Sequence, residues 1–247
     1  MIAVAWVPAA RAPSKHTMLS LDGTGVSGCQ QPFCVHSQLL TTFSGHDVIV
    51  VVAETYCNTR IAGVTDSIGL NFTLRVSHTN NCYGTLWEYY AVATRRLNQD
   101  NITIFADKCC NTIMGMQVFA VHGANTLTVF DPALSTPAAV SCPGTDCGDC
   151  TANFGQGTCS VSIQTSTPDL EVAVTAINSA PPCGHHYQTG QVAGFTSLVP
   201  NQNGRFEVDY TLTNTAHTAV VFACNGTNAS VILVDAVSLR DGFSNLG

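Results

Sequence analysis

The densest cluster of reactive side chains is Cys142-x4-Cys147-x2-Cys150-x8-Cys159, four thiols within eighteen residues. Thiolates grouped in this way can hold tetrahedral Zn²⁺. A zinc knuckle, however, repeats its two-residue spacing, and the second half of this run does not. Cys183-Gly184-His185-His186 adds two imidazoles in a loop, where solvation is the expected state. The full set is twelve: Cys29, Cys34, Cys57, Cys82, Cys109, Cys110, Cys142, Cys147, Cys150, Cys159, Cys183 and Cys224. An even number of cysteines, in segments that read as loops and strand ends, fits a disulfide framework formed in an oxidising compartment better than a metal site. Each bridge would add about 2–4 kcal/mol by restricting the unfolded chain. Spacing does not reveal the pairing.

The other chemical motifs point mainly to structure. The four glutamates, Glu54, Glu88, Glu171 and Glu207, all fall within or at the end of strand-like runs. Paired carboxylates on a sheet face can hydrolyse glycosides, and Trp87, Tyr89 and Tyr90 beside Glu88 offer rings of the kind that bind sugars. The plainer expectation is that alternate residues of LWEYYAV are core aromatics and that Glu88 faces solvent or a neighbouring strand. Gly23-x-Gly25-x-x-Gly28 has dinucleotide-fingerprint spacing, but Cys29-Gln30-Gln31-Pro32 follows where a helix should begin, so it reads as a glycine-rich turn. His46 and His122 have no nucleophile placed by a local signature, and no Gly-x-Ser-x-Gly elbow is present. Asp66, Asp146 and Asp149 lack the spacing of a calcium loop. Asn71, Asn101, Asn225 and Asn228 begin Asn-x-Ser/Thr sequons and are candidate glycosylation sites.

Composition narrows the setting. Only 10% of the 247 residues are charged, the cations are two lysines and seven arginines, and the net charge is −7. Too few cations remain for sequence-independent nucleic-acid binding or for a polybasic membrane patch. The longest aliphatic run, Val48 to Ala53, is far short of the roughly 20 residues of a spanning helix. The surface must therefore be Ser, Thr, Asn, Gln and Gly, which opposes self-association weakly. Low Lys and Glu content argues against the ion-pair surface of hyperthermophiles, although a hot, acidic habitat would protonate carboxylates in any case.

The elements that must position these residues are strands throughout. Candidates are 18–21, 37–43, 47–56, 70–78, 86–95, 101–106 and 114–123, then 159–166, 169–178, 191–199, 205–214, 219–224 and 230–239. As a set they are enriched in β-branched residues, and most alternate with period two. Phe206, Val208, Tyr210 and Leu212 should share one face. The expected fold is all-β, an antiparallel jelly-roll-like sandwich stapled by disulfides. An internal echo suggests duplication into two facing sheets: D47VIVVVAETY with D169LEVAVTAIN, A62GVTDS with A193GFTSL, W87EYYAVAT with F206EVDYTLT, I104FADKCCNT with V221FACNGTN, and Q117VFAVHGA with I232LVDAVSL. Residues 18–247 are expected to form one domain with a Cys-rich loop at 131–158. Residues 1–17 read as an extended segment. Residues 2–10, IAVAWVPAA, with a small-x-small site at Ala10-Arg11-Ala12, resemble a signal remnant without a basic start. The alternative is a strand, carrying Ile2, Val4 and Trp6, that pairs with a sheet.

Taken together, LDGTG, DVIVVVAE, VTDSIGLNFTLR, LWEYYAVA, ITIF, MQVFAVHGANTLTVFDP, GFTSL and VILVDAV resemble a family of jelly-roll domains found in phage appendages and in microbial, including archaeal, surface proteins. The resemblance covers roughly residues 18–240 and implies a β-sandwich on an extracellular or virion surface, with no catalytic residues. The expectation is a non-enzymatic structural subunit of an extracellular filament, pilus-like thread or coat, partnered by copies of itself and needing no cofactor. The alternative is a carbohydrate- or receptor-binding module using Trp87, Tyr89 and Tyr90 or the Cys142–Cys159 loop.

Overall fold

The structure, a computed structural model, describes residues 18–25, 34–56, 59–79, 84–108, 113–141, 160–165, 169–177, 189–190, 194–198, 206–213, 220–221, 223–224 and 229–239. The strands in the first half are β1 (Ser20–Thr24), β2 (Val35–Leu40), β3 (Asp47–Tyr56), β4 (Ile61–Thr65), β5 (Thr73–Thr79), β6 (Gly84–Ala93), β7 (Asp100–Ala106) and β8 (Ile113–His122). Those in the second are β9 (Ala138–Ser141), β10 (Ser160–Val161), β11 (Asp169–Ile177), β12 (Thr189–Gly190), β13 (Thr196–Ser197), β14 (Phe206–Thr213), β15 (Val220–Val221), β16 (Ala223–Cys224) and β17 (Ala229–Ser238). The all-β, antiparallel expectation holds: no helix occurs among the described residues, and every named strand pair is antiparallel. No helix of these residues is long and apolar enough to cross a membrane.

Where the sequence reading expects two sheets, three layers stack. A central sheet, β1-β8-β3-β6-β5, lies between a second five-stranded sheet, β13-β14-β11-β17-β9, and a three-stranded sheet, β2-β7-β4. The reason is visible in β3. Antiparallel sheets commonly leave one face to water, and their strands then alternate apolar and polar residues. Val48 to Ala53 is apolar at every position and wholly buried. Val48, Val50 and Val52 pack toward the second five-stranded sheet with Leu170, Val172, Val208 and Leu233. Ile49, Val51 and Ala53 pack toward the three-stranded sheet with Leu40, Ile102 and Ile104. Burying a Val or Ile side chain contributes about 1.5–3 kcal/mol, so both faces of this strand hold layers together. At Gly115 the central sheet meets the Phe206 ring, which occupies the space a Cβ would need.

The echoed segments occupy equivalent places: β3 lies between β8 and β6 as β11 lies between β17 and β14. The register departs from the sequence alignment by one residue. Asp47 pairs with Ala93 and Asp169 with Thr213, so Trp87 corresponds to Glu207 rather than to Phe206. A one-residue slip moves a side chain to the opposite face. Accordingly Trp87 packs toward the three-stranded sheet, while Phe206 packs between the two five-stranded ones. Phe206, Val208 and Tyr210 share a face as expected, and Leu212, at the end of β14, is exposed.

Three local expectations change. The region expected to be a loop at 131–158 contributes β9, which pairs with β17. Gly23 lies inside β1 at a bulge and not in a turn, because a side chain there would collide with the Thr41 carbonyl oxygen. β4 forms although Gly63 interrupts its pattern, since its pairing with β7 shifts register between Ile61 and Gly63. Asp66 is occupied by its own turn, its carboxylate accepting the amide N–H groups of Ile68, Gly69 and Leu70.

Candidate functional site

Three strands do not cover five. Strands lie roughly 4.8 Å apart within a sheet, so β2-β7-β4 leaves the face of β5 and part of β6 uncovered. A cleft of about 540 Å³ opens there, lined by Thr59, Arg60, Ser77, Thr79, Thr85 and Trp87. Cross-strand pairing explains its floor. Ser77 pairs with Trp87 and Thr79 with Thr85, and directly opposed residues share a face. Thr59 and Arg60 form the wall, in the segment that leads into β4.

The wall is anchored. The Arg60 amide N–H donates to the Asp107 carboxylate at 3.0 Å, and the Asp107 amide donates to the Arg60 carbonyl at 2.9 Å. The Trp87 indole N–H donates to Thr55 Oγ1 at 2.7 Å, and the Thr55 hydroxyl donates to the Thr59 carbonyl at 2.7 Å. That chain ties floor to wall and satisfies the indole internally. The Thr79 and Thr85 hydroxyls bond each other at 2.9 Å. Ion pairs among the described residues are Arg75–Asp235 and His122–Asp47, so the Arg60 guanidinium meets no carboxylate there. Neutral hydroxyls, an indole edge and one cation can bind a polar ligand, and no nucleophile–base pair lines the cleft.

The other notable chemistry is buried. Among the described residues ten carboxylic acids are buried: Asp47, Glu54, Glu88, Asp100, Asp131, Asp169, Glu171, Glu207, Asp209 and Asp235. Glu88, expected to face solvent or a neighbouring strand, lies on the inner face of β6 and is 2% exposed. Burial holds its pKa well above the ordinary value, and the Asp235 charge adds to the shift while Arg75 opposes it. Arg75 Nε donates to Asp235 at 2.7 Å, and its guanidinium lies 4.3 Å from the Phe130 ring centre. Tyr90 meets the same ring edge-on at 5.0 Å. Burial raises Glu171 to about 7, with the Asp131 charge adding to it. Burial likewise raises Glu207 to about 9, reinforced by the charge and hydrogen bond of Asp209. The His122 imidazole lies 2.7 Å from Asp47, whose pKa burial raises against that contact.

The sequence candidates therefore scatter. Trp87 forms part of the cleft floor, Tyr89 is buried toward the three-stranded sheet, and Tyr90 packs on the opposite face. Those three do not form one exposed surface, because consecutive residues of a strand point to opposite faces. Cys34 is disulfide-bonded. Cys29, Cys57, Cys82, Cys109, Cys110, Cys183 and the zinc candidates Cys142, Cys147, Cys150 and Cys159 lie outside the described residues, as do the Cys224 side chain and Ile2, Val4 and Trp6. Asn71 and Asn101 are exposed, while Asn225 and Asn228 lie outside the described residues. No group of His, Cys, Asp and Glu able to hold a metal occurs among the described residues. Arg60, Ser77 and Thr79 were not sequence candidates: single polar residues carry no signal until β5, β6 and the 59–60 segment converge. No family model, curated protein or solved structure matches the chain.

Proposed function

We propose that this chain is a structural subunit of an extracellular assembly, a filament, pilus-like thread or coat, in which copies meet through the outer face of the three-stranded sheet and the edge of β2, which pairs with no second strand among the described residues. The observation that carries this reading is the chemistry of that face. Val35 and Leu39 on β2 are each 50% exposed. Between them the Ser37 hydroxyl bonds Thr103, and Asn101, Phe105, Gly63 and Thr65 complete the surface. None of these side chains ionises. Edge strands are normally guarded by lysine, proline or inward charge, and VHSQLL carries none of the three. For a chain of net charge −7, an uncharged patch is where a second copy approaches with least repulsion.

The strand pairing supports a jelly-roll origin for the first eight strands. β1 pairs with β8, β2 with β7 and β3 with β6, a nested ribbon wound into two sheets. It departs in one place: β5 pairs with β6 and not with β4. The disulfide at Cys34 and the eleven further cysteines fit an oxidising, extracellular setting. Tyr56 pairs with Gly84 and Thr55 with Ile113, so these ends of β3, β6 and β8 lie together at one end of the central sheet. A donated strand from residues 2–7 of a neighbour would satisfy the free edge of β2. Electron microscopy of unreduced protein tests the reading. Regular polymers that Val35→Lys with Leu39→Lys disperses are expected, whereas monomers of 26.0 kDa from the unaltered chain would overturn it. Deleting residues 1–12 tests donation separately, since unchanged polymers would remove that mechanism alone.

A further inference from the structure

We propose that the cleft at Arg60 binds an acidic sugar residue, with the Arg60 guanidinium taking the sugar carboxylate and the hydroxyl floor taking the ring. This site is distinct from the proposed assembly face, which lies on the outer side of the three-stranded sheet. Size comes first: about 540 Å³ falls within the range of small-ligand sites, roughly 300–1,000 Å³. Chemistry narrows the class. Ser77 and Thr79, both exposed, provide hydroxyls that can donate and accept, the requirement of a polyhydroxylated ring, and the buried Thr59 and Thr85 complete the polar lining. Trp87 is the one hydrophobic side chain among the lining residues, too little to hold a lipid chain or a steroid.

Arg60 supplies the selectivity. It is exposed, it ion-pairs with no described carboxylate, and its main chain is held on both sides by Asp107. A guanidinium fork matches a carboxylate with two parallel hydrogen bonds. The rest of the chain repels multiply charged ligands, because its net charge is −7 and the cleft wall has one cation. One carboxylate on a neutral, hydroxyl-rich ring satisfies all of these features, and a polyphosphate or nucleic acid does not.

Isothermal titration of the unreduced full chain tests this, with 3′-sialyllactose and glucuronate as acidic probes, lactose and glucose as neutral controls, and sodium sulfate as the anion without a ring. The acidic sugars are expected to bind at least about tenfold more tightly than either neutral control, and Arg60→Gln to lose about tenfold or more, the scale of a charge-assisted hydrogen bond. Ser77→Val, which removes a floor hydroxyl, should weaken binding severalfold with an unchanged melting temperature. Equal affinity for lactose would overturn the acidic assignment, and sulfate binding as tightly as glucuronate would reduce the site to an anion contact. No heat from any sugar at millimolar concentration, or full binding by Arg60→Gln, would overturn the proposal entirely.

Discussion

The layer between the central and three-stranded sheets and the sheet on the opposite side were built by different rules. On the first side, Ile49, Val51, Ala53, Met116, Val118 and Ala120 meet Leu40, Ile102 and Ile104, while the buried acids on the same strand faces, Asp47 and Asp100, stand at the first positions of β3 and β7. On the second side, β11, β14 and β17 carry Asp169, Glu171, Glu207, Asp209 and Asp235, all buried. Arg75 is the only cation among the described residues that ion-pairs with any of these five. The apolar middle of that layer carries no carboxyl, so its contribution depends little on pH. A desolvated carboxyl favours its neutral form, so the second region is most stable when protons are abundant. The difference teaches that one chain can set a layer with an apolar middle, its acids at strand ends, against a sheet that carries acids along its length and depends on their protons.

Removing the buried cation should have the largest effect. Arg75→Met leaves Asp235 and Glu88 buried without their counter-charge, which costs about 3–5 kcal/mol when one partner of a buried pair is deleted. Denaturant unfolding at pH 7 would show the loss, and the loss should shrink toward pH 4, because burial favours the neutral form of both carboxyls. An equal loss at both pH values would break the electrostatic explanation.

The pH dependence of the unaltered chain is the second test. Glu171 titrates near 7 in the folded protein against an ordinary 4.5, and burial is the main cause. Because the folded form holds the proton more tightly, the associated stability is complete below about 4.5 and is lost as pH rises through 7. The shift is worth on the order of 3 kcal/mol. Glu207, near 9, extends the decline into the alkaline range. Glu171→Gln should flatten the melting-temperature profile between pH 4.5 and 7. Hydrogen exchange should show β11 and β14 losing protection as pH rises, while β3 keeps its own. Uniform loss across both regions would erase the distinction.

Two smaller tests probe the apolar packing. Gly115→Ala forces the added Cβ against the Phe206 ring and should cost about 1–3 kcal/mol. Phe206→Leu should recover part of that cost in a double-mutant cycle. Ile49→Val, on the side facing the three-stranded sheet, should cost about 0.5–1.5 kcal/mol and by the same amount at pH 4 and pH 8. A pH-dependent cost would show that the two regions are not independent.

Much of the strand inventory was legible before any coordinates. Asp47 to Tyr56 was bounded correctly at both ends, and Asp169 to Ile177 within one residue, because an unbroken β-branched run can be little else. β4 and β9 were missed for opposite reasons. Gly63 breaks the alternation of one, and the prolines and cysteines around the other imitate a loop. Of the cleft, only Trp87 was legible. Ser77 and Thr79 meet it through strand register, and Arg60 through the approach of a segment from a different sheet.

Composition and periodicity by themselves determined an all-β chain with sparse charge and many thiols, because backbone preference and the hydrophobic pattern act within a few residues. They also supplied the continuous apolar run that a strand buried on both faces requires. Only the tertiary structure decided that a third layer covers that run, that Glu88 turns inward, and that Arg60 stands over a hydroxyl floor. Each of these depends on register and on which sheet lies opposite, and a shift of one residue exchanges inside for outside. Burial of ten carboxyls was likewise invisible to composition, since the same acids on an exposed face would have left the charge count unchanged.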